Sequence, residues 1–112
     1  MKILTAFVRP EKLNDVTVHL SGIGVTGISV TTIIGRGRQD GYPESYRGIE
    51  HQITLIPKVR IEIVLGNDLV EKASSAIIKA AKTGHVGDGL IVISPVEDSI
   101  RIRTEERGED AI

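Results

Sequence analysis

At 112 residues the chain has room for one compact domain and not for two. Its 40% hydrophobic and 26% charged content is that of a folded globular protein and excludes global disorder. With 14 Lys+Arg against 15 Asp+Glu the formal charge is only -1, which leaves no basic field for nucleic-acid phosphates, and no cysteine is present for disulfides, thiolate nucleophiles or zinc clusters.

The lack of cysteine suits a reducing compartment, so a cytoplasmic location is expected. The run from Ile3 to Val8 is too short for a signal-peptide core or a membrane span and is closed by Arg9-Pro10, so it reads as a strand, with no direct membrane insertion. Leu13, Val16, Leu20 and Ile23 then recur at the spacing of one helix face, which Gly22 and Gly24 close. Ile28, Val30, Thr32 and Ile34 alternate with Ser29, Thr31 and Ile33 in a β-branched run that predicts a second strand.

From Gly37 to about Leu55 the period is lost, in a stretch that carries Gly41, Pro43, Gly48 and both tyrosines, Tyr42 and Tyr46. Irregular connections this long inside compact domains are uncommon and are usually functional or disordered. Its tyrosines, with Arg38, Asp40, Glu44, Arg47 and Glu50, form a candidate partner-contact surface; a merely solvated loop is the alternative.

The second half repeats the order of the first. Val59, Ile61, Ile63 and Leu65 have strand spacing, Leu69, Ala73, Ala76, Ile77 and Ala80 form a helix face, and Leu90 to Ile93 make a short apolar strand. Leu13 and Val70 occupy corresponding places in a faint internal repeat. Two β-α-β units in tandem predict the α+β, ferredoxin-like βαββαβ sandwich, an antiparallel four-stranded sheet with two helices on one face. Apolar residues on both parities of several strands call for a cover over the other face, and a symmetric homo-oligomer supplies it most simply.

Two segments carry candidate chemistry. Thr83-Gly84-His85-Val86-Gly87-Asp88-Gly89 lies between helix and strand, which is not the strand-to-helix setting of a Walker or Rossmann motif. Its glycines allow successive backbone N–H groups to face one concavity that binds phosphate oxygens, although a turn that only reverses the chain has the same composition. In Arg101-Ile102-Arg103, alternate residues of an extended segment place two guanidinium groups on one side, suited to polyphosphate. Ion pairing with Glu97, Glu105 or Glu106 is the competing reading. The acidic residues Glu105, Glu106, Glu109 and Asp110 read as a solvated tail, and His19, His51 and His85 are scattered without ligand spacing, so neither an intrinsic metal site nor an enzyme is expected.

Several stretches resemble, in order and at matching spacing, the PII nitrogen-regulatory signal-transduction family: Gly35-Arg36-Gly37-Arg38-Gln39, Tyr46-Arg47-Gly48, Leu55-Ile56-Pro57-Lys58-Val59, the segment from Thr83 to Gly89, and Arg101 to Thr104 with the terminal Glu106 to Ile112. The resemblance implies one PII-like domain over 1–112, assembled as a homotrimer with ATP or ADP in each intersubunit cleft. It also implies Mg²⁺ with ATP, 2-oxoglutarate as effector, and control of an enzyme or membrane transporter through the long loop. Carried over by position, Gly87, Asp88 and Gly89 hold phosphates by backbone amides, Arg101 and Arg103 with Ile102 between them complete the charge, Glu62 and Val64 line the adenine, Ser29 keeps a hydroxyl where the family usually has threonine, and Arg38 reaches the outer phosphate. Gln39 completes the Mg²⁺ shell and Lys58 pairs with a 2-oxoglutarate carboxylate. Tyr42, Tyr46 and Arg47 belong to the partner loop.

Four departures stand out. His51 replaces a tyrosine that many bacterial relatives have uridylylated, Ile49 a serine phosphorylated in another branch, Leu90 a lysine beside the phosphates, and Asp40 a common loop lysine. Positive charge is thus reduced at the nucleotide and effector site. The alternatives are a divergent PII-like sensor of ADP, AMP or a small anion acting on a partner outside nitrogen metabolism, and a small ferredoxin-like hydrolase, which the lack of a nucleophile and base disfavours.

Overall fold

The computed structural model describes residues 1–37 and 54–112. The loop residues Arg38, Gln39, Asp40, Tyr42, Tyr46, Arg47, Ile49 and His51 lie outside the described residues. Four strands, β1 (Lys2–Val8), β2 (Ser29–Gly37), β3 (Thr54–Leu65) and β4 (Leu90–Pro95), and two helices, α1 (Leu13–Gly22) and α2 (Val70–Ala81), follow in the order β1-α1-β2-β3-α2-β4. The strands lie side by side as β2-β3-β1-β4 with every neighbouring pair antiparallel, which is the ferredoxin-like arrangement.

Alternation along the strands decides what each face does. Leu4, Ala6 and Val8 of β1 and Val59, Ile61, Ile63 and Leu65 of β3 are buried under Val16 and Leu20 of α1 and Val70, Ala73, Ile77, Ala80 and Ala81 of α2. The register pairs these rows, Leu4 opposite Ile63 and Ala6 opposite Ile61, so the core is one layer between central strands and helices. The opposite face presents Ile3, Phe7, Val64, Leu90 and Val92 around Lys58, Arg60 and Glu62; Leu90 is 63% exposed and Val92 41%. Arg60 and Glu62, two apart on β3, pair at 3.5 Å on this face.

The end of α1 follows from its sequence. Gly24 takes φ +90°, the N–H of Val25 donates to Leu20 O at 2.9 Å and that of Gly24 to Ser21 O at 3.0 Å, a Schellman closure sealed by contact between the buried Val25 and Leu20. α2 begins one residue later than the apolar period predicts, because Asn67–Leu69 form a single 3-10 turn ahead of it.

The central hairpin runs further than its β-branched core. Pairing continues from Ile34 opposite Pro57 to Gly37 opposite Thr54, so both ends of the predicted 37–55 loop belong to the sheet. Pro57 is tolerated there because β1 stops at Val8, opposite Val59, and leaves β3 with a neighbour on one side only. Among the described residues no helix is long and apolar enough to cross a membrane.

Candidate functional site

Two groups of residues stand apart along β3, one at its C-terminal end and one near its middle. The first is a cleft of about 780 Å³, in the size range of small-molecule sites. Its walls include Glu62 and Val64, expected around a base, and Ser29, expected to bring a hydroxyl to the nucleotide, with Ser29 directly opposite Glu62 in the ladder. Ile3, Leu65 and Leu69 add apolar surface. The segment from Gly24 to Gly27 and the C-terminal Glu109 and Ile112 complete the wall of the cleft, and the sequence reading assigned none of them to a site. The sequence marks Gly24 only as the close of a helix and gives Gly27 no role; their spacing between helix and strand is the available signal.

The C-terminal acids Glu105, Glu106, Glu109 and Asp110 are exposed, in keeping with a solvated tail, but the backbone that carries the last two is built into a turn. Gly108–Ala111 form a 3-10 turn, and Ser99, in the segment that follows β4, holds it: its hydroxyl donates to Gly108 O at 2.8 Å, while Gly108 N–H donates to Ser99 O at 3.0 Å. Glu109 is thereby held against the cleft, next to Gly66.

The second group is the glycine turn, which meets β3 at Lys58, beside the end of β1. Lys58 Nζ donates to Gly87 O, so the expected effector lysine and the expected phosphate turn meet in one chain. Burial, and after it the Arg9 guanidinium, lowers the Lys58 pKa below the ordinary lysine value. The Asp88 carboxylate points into the turn: it accepts from Thr83 N–H at 2.8 Å, from Gly84 N–H at 2.9 Å, from the Thr83 hydroxyl, and from Arg9 Nε and Nη2 at 3.4 Å each. Hydrogen bonds from Thr83 above all hold its pKa well below the usual carboxylate range. Gly87 and Gly89 have φ of +106° and +113°, the left-handed side that glycine alone adopts without strain. Leu90 follows immediately on the open face, opposite Phe7.

Arg101, Ile102 and Arg103 require a correction. The segment is not extended: residues 102–104 turn the chain in a short hairpin in which Ile100 bridges Arg107. Arg101 N–H donates to Glu106 O at 2.9 Å and Glu105 N–H to Arg101 O at 2.7 Å. Glu105 stands at φ +61°, which bends the chain where alternation would have kept it straight. The two arginines therefore do not share a side by strand geometry. Among the described residues neither forms an ion pair; it is Arg107 that pairs, with Asp98 at 2.8 Å. Ile102 between them is 96% exposed.

Asp98 is lowered below the ordinary carboxylate pKa, first by Arg107 and then by the Ser99 N–H. Because the folded pKa of Asp88 and of Asp98 lies below the unfolded one, their contribution to stability is present above the ordinary value and is lost as pH falls through the folded value. Carboxyl ¹³C shifts followed by NMR should thus show both groups still ionised below about pH 4, where an unperturbed aspartate is half protonated. An ordinary midpoint for Asp88 would contradict the inward-facing carboxylate.

A family model described as nitrogen regulatory protein P-II matches residues 1–106. The chain is 51% identical to the nitrogen regulatory protein P-II of Cereibacter sphaeroides and 52% identical to that of Bradyrhizobium diazoefficiens, in both cases over 112 residues and the full length of each chain. It is 47% identical to the nitrogen regulatory protein P-II 2 of Methanothermobacter thermautotrophicus, over all of this chain and 97% of that one. With its four-stranded antiparallel sheet and two helices, the chain belongs to the nitrogen regulatory protein P-II family.

Proposed function

We propose that this chain is a non-enzymatic regulator of nitrogen metabolism, a single domain over 1–112 that works in the cytoplasm as a homotrimer, binds ATP or ADP between subunits, and acts on an enzyme or transporter through its long loop. One observation carries this reading. Lys58 and Val64 lie on the same face of β3 but six residues apart, roughly 20 Å along an extended strand. The cleft around Val64 suits a base, and the turn around Lys58 has the glycines and cations suited to phosphates. A base seated in the cleft leaves its phosphates short of the turn of the same chain. A second copy packed on the open apolar face brings its own turn to the first copy's cleft, and a head-to-tail contact of that kind closes into a ring.

Within this reading Arg101 and Arg103 supply charge from the exposed hairpin, and Mg²⁺ and 2-oxoglutarate join at Gln39 and Lys58. Calorimetric titration with ATP, ADP and AMP, each with and without Mg²⁺ and 2-oxoglutarate, is the test. ATP binding that is strengthened by 2-oxoglutarate in Mg²⁺ supports the sensor as stated; no binding of any of the three nucleotides refutes it.

The second reading, a sensor of ADP, AMP or a small anion, is favoured by Leu90, an exposed apolar residue beside the glycine turn. An ammonium there attracts ATP more than ADP, because ATP carries more negative charge. Leu90→Lys should therefore tighten ATP binding by about 1 kcal/mol and raise the preference for ATP, with the assembly unchanged on a sizing column. Unchanged or weaker ATP binding in an intact assembly would show that residue 90 does not face phosphate.

A further inference from the structure

We infer that Arg9 is a positioning residue for the glycine turn, acting on a bound phosphate through Asp88 and not by touching the ligand. The inference rests on the nucleotide reading proposed above. Arg9 follows the last residue of β1, Val8, and precedes Pro10, and its side chain is largely buried, with 14% exposed. Its guanidinium reaches 79 residues along the chain to Asp88, with Nε and Nη2 at 3.4 Å from Oδ1, and Nη2 donates also to Val86 O at 3.1 Å.

Asp88 relays this anchor. The same carboxylate gathers the N–H groups of Thr83 and Gly84, so one side chain ties the start of the turn to its end and both to the terminus of β1. Gly87 leaves the room: a Cβ there would stand 3.2 Å from Arg9 Nη2. The positive charge of Arg9 is already met by Asp88 and a carbonyl. What remains for it to contribute is shape. A backbone cradle holds phosphate only when its peptide planes are fixed before binding, since otherwise ordering them subtracts from affinity.

A double-mutant cycle on the full-length assembled protein separates this role from direct contact. Arg9→Ala should weaken ATP binding roughly tenfold, the scale of one lost charge-assisted bond. Asp88→Asn should cost at least as much, the double variant no more than Asp88→Asn alone, and Arg9→Lys should keep part of the affinity. Losses that multiply in the double variant would overturn the inference, because Arg9 would then meet the ligand independently.

A second readout needs no nucleotide. Amide exchange at Thr83 and Gly84 in the ligand-free protein should quicken in Arg9→Ala and be partly restored in Arg9→Lys; exchange unaltered by Arg9→Ala would equally overturn it. Failure of the unmutated protein to bind ATP would instead sink the nucleotide reading, with the exchange measurement still deciding whether Arg9 locks the turn.

Discussion

Gly89→Ala should destabilise the protein by about 4 kcal/mol, the combined scale of a forbidden backbone conformation and an overpacked contact. A Cβ on Gly89 would fall 1.7 Å from Phe7 O and 2.8 Å from Phe7 C, and the residue's φ of +113° is closed to side chains whatever the space. Neither atom can retreat cheaply, because Phe7 is paired on both sides, with Arg60 of β3 and Leu90 of β4. Gly84→Ala is the control: its φ is +90° but a Cβ there meets nothing within 4 Å, so only the conformational cost of about 1 kcal/mol applies. Urea unfolding at fixed protomer concentration compares the two. Equal losses would mean that the close approach of Gly89 to β1 is not needed for stability.

The second large effect is expected on binding. Replacing both Arg101 and Arg103 by Ala should weaken ATP binding by about 1.5–3 kcal/mol or more, the range of a hydrogen bond to a charged group. Neither arginine lines the cleft of its own chain, and the hairpin that carries them exposes Ile102 almost completely, as an arm made to meet another copy would. The hairpin is secured from behind by Asp98, Arg107 and Ser99, so truncating the two arginines leaves its frame in place. Titration calorimetry on the double variant, with sizing to check assembly, gives the answer; wild-type affinity would remove both residues from the site.

Much of the fold was legible because period maps directly onto burial. The alternating β-branched residues of β2 and the three-and-four spacing of Val16 and Leu20 leave little choice of structure, and Gly24 marked its helix end to the residue. Ser29, Glu62 and Val64, which the family resemblance assigns to a nucleotide, do line one cleft, whereas the hydrogen bond from Lys58 to the glycine turn had no signal in the sequence. Where one residue's backbone decides the path, pattern reasoning failed: Glu105 in the left-handed region turns a segment whose side chains alternate as if extended. Arg9 was missed for a different reason. Beside Pro10 it reads as the stop of a strand, and its partners lie 77 and 79 residues away, a distance only the closed sheet removes.

Complementation between two defective chains tests the intersubunit site most directly. Ser29→Trp should fill the cleft end, and Leu90→Glu should repel phosphate at the turn end, so each variant alone should assemble but fail to bind ATP. If each site takes its cleft from one chain and its turn from the next, co-refolding equal amounts should restore about a quarter of the sites, the fraction in which random mixing in a head-to-tail ring joins two intact halves. Recovery near that fraction, read as calorimetric stoichiometry, is the expected result. No recovery in mixed assemblies of the correct size would place cleft and turn in the same chain's site and contradict nucleotide binding between subunits.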